Sequence, residues 1–177
     1  MDRPADWIRE ATDRWGLEEV ARRCAAQLTG GPDDLELLGY LTGDGEDYQA
    51  RRGEWASHQV NRYWLRVWAA RGLLHAWSDE ATPALITALS DEHWRVREMA
   101  CKVTARWEVG PAAEAVVPLL ADDVPRVRAA AARAMAVVGE AEHVDALSDL
   151  RDDPEAAVRT QADRALSTLG RRIDREV

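Results

Sequence analysis

The chain has 177 residues, of which 46% are apolar and 31% charged, and it carries a net charge of −9. That is enough for one ordinary domain with a continuous core, and no apolar run approaches the ~18–20 residues of a membrane-spanning helix. The opening Met1-Asp2-Arg3-Pro4-Ala5-Asp6-Trp7 lacks the apolar stretch of a secretory leader, so a cytoplasmic location is expected.

Along the chain, apolar spacing predicts helices over about 4–15, 17–29 and 33–42. A turn follows at Thr42-Gly43-Asp44-Gly45, and a further helix starts near Glu46 and breaks around Gly53. Residues 1–61 hold 7 basic and 13 acidic residues, so the net charge of −9 falls disproportionately on this N-terminal segment. Its Gly43-Asp44-Gly45 resembles neither a phosphate cradle nor a calcium loop. Asp44, Glu46 and Asp47 would repel phosphate, and the carboxylates lack the regular placement of a calcium site.

From residue 62 the sequence repeats every 31 residues. Leu65-Arg66, Val96-Arg97, Val127-Arg128 and Val158-Arg159 stand in step, as do Ala69, Ala100, Ala131 and Ala162. Arg71, Lys102, Arg133 and Arg164 form a basic column, and Asp91, Asp122 and Asp153 an acidic one. Such a period is the mark of a repeat architecture. Each unit reads as two helices. The first spans about 62–77, 93–108, 124–138 and 155–169, and the second about 83–90, 112–121 and 142–150. In the second unit the apolar stripe is Val96, Ala100, Val103, Thr104 and Trp107, which is helical spacing with one buried face. Trp7 and Trp15 are expected in the core of the N-terminal segment.

The aspartate column, Asp122-Asp123 and Asp152-Asp153 included, is read as a set of helix N-caps. The arginine of each Val-Arg pair is expected to reach an aspartate of a neighbouring repeat. Glu92-His93 reads as a helix start.

The pattern Asp91…Val96-Arg97…Ala100 and its later copies resembles the HEAT-like repeat family, including the short variety first named for phycobilisome lyases. The resemblance covers about 60–170. It implies an all-α fold: a right-handed α-solenoid of HEAT-like helix pairs with a helical N-terminal cap. The expected division is a capping segment at 1–61, repeats at 62–170 and a charged tail at 171–177. Within this family repeats serve adaptors, scaffolds, some lyases and one class of DNA glycosylases, so the resemblance settles fold rather than function.

Chemistry-bearing constellations are few. His58, His75, His93 and His143 stand far apart, and none shares a short motif with another metal ligand. Nucleotide-binding glycine motifs and a nucleophile elbow are absent, and Cys24 and Cys101 read as buried thiols. No cofactor, metal or catalytic residue is assigned. One surface stands out instead. Offsets −1, +3, +6 and +10 from the Leu/Val of each pair lie within about 60° on a helical wheel. They collect Trp64, Trp68, Arg71 and His75; Arg95, Met99, Lys102 and Arg106; Arg126, Ala130, Arg133 and Val137; and Ala157, Gln161, Arg164 and Thr168. These columns contain no acid. Trp94, at the start of a first helix, joins them as an exposed candidate. The expected function is a non-enzymatic adaptor that binds a protein partner, such as an acidic segment, on Trp64, Trp68, Arg71, Trp94, Arg95, Lys102, Arg106, Arg126, Arg133 and Arg164. The alternative is a nucleic-acid binder related to the glycosylase class, which the net charge of −9 disfavours.

Overall fold

A computed structural model describes residues 4–174. Residues Arg175, Glu176 and Val177 of the expected charged tail lie outside the described residues. The described residues contain helices and turns and no strand. They form two compact units, one running to Ala88 and the other starting at Leu89. No described helix is long and apolar enough to cross a membrane.

The first unit opens with α1 (Pro4–Trp15), α2 (Leu17–Leu28) and α3 (Leu35–Thr42). Their inner faces bury Ile8, Ala11, Val20, Cys24, Leu28, Leu37, Leu38 and Leu41. Trp7 and Trp15 are half-buried, which corrects their expected place in the core. Their rings lie along the surface, and Arg23 packs over the Trp15 ring at 3.8 Å, as expected for a cation on an indole face. Asp34 caps α3 by accepting the Leu37 amide at 3.0 Å, and Arg23 clamps the same carboxylate with two bonds of 2.5 and 2.6 Å.

Gly43 ends α3 in the left-handed region at φ 76°. A Cβ there would run into the Trp7 ring. Gly30 shares the sign of φ, at 78°, with nothing within 4 Å of its Cβ position. Gly30→Ala is therefore expected to cost only the backbone penalty of about 1 kcal/mol. Gly43→Ala adds displacement of an indole, for a total of about 2–3 kcal/mol. Urea denaturation of the two variants separates the terms, and equal losses would rule out the Trp7 contact as a constraint.

Beyond Gly43 the chain winds irregularly through a 3-10 turn (Gly45–Asp47), a π turn (Gln49–Gly53), α4 (Glu54–Ser57) and a second 3-10 turn (Gln59–Asn61). The expected helix from Glu46 is thus a string of tight and wide turns. It closes over α5 (Tyr63–Leu73), which packs against α2 and α3. Next comes α6 (Thr82–Leu89), with Thr82 and Pro83 in its first turn, where proline costs no hydrogen bond.

The second unit stacks three long helices: α7 (Trp94–Trp107), α9 (Pro125–Val138) and α11 (Ala156–Ile173). α7 packs along α9, and α9 along α11. The shorter helices α8 (Ala113–Val116) and α10 (Val144–Asp149) continue as 3-10 turns at Val117–Ala121 and Leu150–Asp152. Burial follows the 31-residue columns: Val96, Ala100 and Val103; Val127, Ala131 and Ala134; and Val158, Ala162 and Ala165 are each at most 1% exposed. Trp107 departs from its column. Ala76, Val138 and Leu169 are buried there, whereas the larger indole is half-buried with Arg106 over its ring at 5.1 Å.

Candidate functional site

Two sets of charged side chains decorate the second unit, and their environments differ. The first set is the Arg–Asp ladder. Arg97 Nε and Nη2 donate to the two carboxylate oxygens of Asp122 at 2.7 and 3.0 Å. Arg128 repeats the fork on Asp153 at 2.6 and 2.9 Å. The third guanidinium nitrogen, Nη1, turns back to the chain. It donates to the carbonyls of Asp91 and Glu92 from Arg97, of Asp122 and Asp123 from Arg128, and of Asp153 and Pro154 from Arg159. Each ladder arginine therefore holds the turn before its own helix and, in the first two copies, the turn before the next helix.

The aspartates do not stand at the N-cap. His93, Val124 and Glu155 occupy that position, and Asp91, Asp122 and Asp153 lie two residues earlier. Each carboxylate accepts the amide of the N-cap residue at 2.8–2.9 Å, an Asx turn that bends the chain into the helix. The expected N-caps are therefore Asx-turn residues two positions upstream. These carboxylates orient a turn and anchor an arginine. Of the named N-cap residues, only His93 caps with its side chain, accepting the Arg95 amide through Nδ1 at 3.3 Å. The Arg128 fork holds the Asp153 pKa below its ordinary value of 3.8. A cavity of about 580 Å³ between the shorter helices is lined by Asp122, Arg128 and Asp153 of this ladder together with Val117, Leu120 and Leu150.

The second set is the basic face of α7, α9 and α11. At the start of α7 it includes Trp94, half-buried, with Arg95 over the ring at 4.4 Å and Arg126 at 5.5 Å. Trp94 is thus half-buried beside two cations and the stacked His93 ring at 6.1 Å, rather than exposed as expected. The wheel columns hold no acid, yet one acid sits among them. Glu98, 8% exposed, accepts Lys102 Nζ at 2.9 Å and Arg126 Nη2 at 3.1 Å on the same oxygen. A single carboxylate thereby joins α7 to α9. The pair Glu98–Lys102 is legible in sequence as an i,i+4 pair; its reach to Arg126 is not. Arg106, Arg133 and Arg164 are exposed, and Arg133 makes one long contact with Gln161 at 3.4 Å.

The remaining sequence candidates lie in the first unit and turn inward. Trp68 is 6% exposed. It packs against Tyr48 at 6.4 Å, Trp55 at 6.0 Å and Trp64 at 6.1 Å. Arg71 donates Nη2 to the Leu41 carbonyl at 2.6 Å, and burial, with Arg52 nearby, lowers its pKa. These two are packing residues, which removes them from a binding surface. Trp64 is half-buried and lies 5.3 Å from Tyr63, at the edge of the same cluster.

Among the described residues, Glu114, Glu142 and His143 bring three ligand-type atoms within 4.8 Å of one another. The imidazole decides against an ion there. His143 Nδ1 accepts the Glu140 amide at 2.8 Å, which leaves the ring proton on Nε2, the nitrogen that faces Glu114 at 3.4 Å. A nitrogen bearing its proton offers no lone pair to a metal. The arrangement is a capping box between Glu140 and His143. Burial pushes Cys24 and Cys101 up to about 12, so neither thiol is poised as a nucleophile.

Helix pairs stacked at a fixed period and stitched by a buried Arg–Asp ladder define the class of α-helical repeat proteins. The HEAT repeat model matches residues 81–105. A crystal structure of an engineered protein has the same fold with a TM-score of 0.52 at 22% identity, covering 96% of this chain and 85% of that one. No curated protein sequence matches. The chain is thus an all-α stack of repeated helix pairs that is similar to the HEAT repeat over residues 81–105.

Proposed function

We propose that the chain is a non-catalytic adaptor whose second unit docks an acidic segment of a protein partner on the basic face of α7, α9 and α11. One observation carries the reading. Arg95 and Arg126 lie against Trp94; Lys102, Arg106, Arg133 and Arg164 occupy the same helical-wheel columns of α7, α9 and α11; and the acid bonded within that set is Glu98. The ladder cations Arg97 and Arg128 by contrast are consumed by carboxylates and carbonyls of the fold itself. HEAT repeats generally mediate protein–protein contacts, and the overall charge of −9 disfavours a polyanion such as duplex DNA. Trp94, with two guanidinium groups against its ring, supplies the rigid apolar contact on which such interfaces concentrate their energy.

The test is fluorescence anisotropy with a synthetic glutamate-rich peptide and, in parallel, a short DNA duplex. The wild-type chain is expected to bind the peptide with an affinity that falls as salt screens the charges. Lys102→Glu combined with Arg133→Glu changes the charge of the face by −4 and is expected to abolish peptide binding. Tighter binding of the duplex than of the peptide would overturn the reading, and so would an unaltered peptide affinity in the double variant.

A further inference from the structure

The ladder contains a third arginine fork whose carboxylate side is turned outward. Arg97, Arg128 and Arg159 are equivalent by sequence and by conformation: in each, Nη1 is pinned by two backbone carbonyls of the preceding turn. The pins on Arg159 are 2.7 and 2.9 Å, as short as or shorter than those of the other two. In Arg97 and Arg128 the opposite edge, Nε and Nη2, grips an aspartate 25 residues further on. Arg159 is exposed, and among the described residues that edge meets no carboxylate. Of the neighbouring acids, Asp153 is held by Arg128, and the exposed Glu155, four residues earlier, makes no bond to that edge among the described residues. Asp163 receives Arg151 Nε at 3.0 Å, and Asp174 stands at the other end of α11, about 22 Å away along the helix.

The helix that carries Arg159 also indicates what kind of occupant fits. In α9 the positions that would face a following helix are small and covered: Ala132 and Ala136 are 0% and 6% exposed. Their counterparts in α11 are Asp163 and Ser167, both polar and exposed, and Thr160 beside them is exposed as well. A further helix pair stacked there would bury Asp163, at the cost of stripping a charge of its water. An extended segment touching only the Arg159 edge avoids that cost.

We infer that Arg159 is a preorganised binding site for a carboxylate side chain of an extended acidic peptide, taken up in the two-bond geometry that Asp122 and Asp153 display inside the fold. The planar fork matches a carboxylate with two parallel bonds, and the two carbonyl pins have already fixed its orientation. The inference rests on the reading that the partner is acidic, but it places a contact outside the Trp94 face.

The probe is a synthetic peptide copying residues 149–158, which presents Asp153 in its own turn sequence, with an Asp153→Asn version as control. The readout is the set of arginine Nε–Hε resonances of the full chain. On titration the Arg159 signal is expected to move toward the positions of Arg97 and Arg128, and the control peptide to leave it in place. Arg159→Lys keeps the charge and removes the fork, and it is expected to weaken the peptide about tenfold. Shifts confined to Arg95, Arg126 or Arg133 would overturn the Arg159 site and leave the basic face standing. Undisturbed arginine resonances throughout would overturn both.

Discussion

Replacing Trp68 by alanine is expected to cost about 3–5 kcal/mol of folding stability, the usual penalty for truncating a buried tryptophan. The ring is 6% exposed and holds the irregular 45–61 segment through Tyr48 and Trp55, while Arg52 lies over it at 5.5 Å. Arg52 is itself tied to Asp44, so loss of the indole also loosens the ion pair that braces the turn after α3. Trp94→Ala should behave in the opposite way. Its ring is half-buried beside two cations, so stability falls by about 1 kcal/mol or less, while affinity for the acidic peptide drops. Urea denaturation of both variants, with peptide binding measured beside it, separates a packing tryptophan from a contacting one. Stability unchanged by Trp68→Ala would return Trp68 to the list of surface candidates.

That contrast marks how far residue order alone determines what is visible of the fold and its surface. The 31-residue period placed the helices of the stack, the buried columns and the pairing of Val-Arg arginines with downstream aspartates, because stacking forces equivalent residues into equivalent environments. It placed Trp64 and Trp68 in the same wheel columns as Arg95 and Met99. Yet α5 is covered by a segment without the period, and a wheel drawn for one helix contains nothing about what lies over it. Glu98 escaped for a related reason. It sits one position from the basic column, and only the packing of α7 along α9 brings Arg126 to it. The aspartates were misassigned as caps because an Asx turn and an N-cap use the same residue types two positions apart. Trp107 is a matter of size, since a column that accommodates Ala76 and Val138 leaves no room to bury an indole completely.

The two charge systems also divide the labour between stability and recognition. Ladder guanidiniums spend their donors inside the fold: Arg97 and Arg128 make two bonds to a carboxylate and two to carbonyls. Basic-face cations make fewer internal bonds where their contacts are resolved, and several lie on an aromatic ring or on solvent. Reversal of a face cation such as Arg133 should therefore leave the fold intact, whereas changes to the ladder should not.

Asp153→Ala is accordingly expected to be among the most damaging surface-proximal changes in the chain, at about 3 kcal/mol, or roughly 6–12 °C in Tm for a protein of this length. The Asp153 side chain is 4% exposed and its partner Arg128 12%, so removing the carboxylate strands a guanidinium fork that water reaches poorly. The Glu155 amide loses its acceptor in the same step, and the turn into α11 loses its bend. A double-mutant cycle with Arg128→Met isolates the pair. A coupling of about 2 kcal/mol is expected, and strictly additive losses would show that the fork contributes nothing of its own. The pH dependence has a definite sign. Arg128 lowers the folded-state pKa of Asp153 below 3.8, so the unfolded chain binds the proton more readily. The stabilisation is complete above the ordinary aspartate range and is lost as pH falls through the lower folded-state value. Wild type and Asp153→Asn should therefore converge in stability in strong acid, separate as pH rises from the lowered folded-state value to about 4, and keep a fixed gap above it. A gap already constant from strong acid upward would mean that the Arg128–Asp153 charge pair is not what stitches α9 to α11.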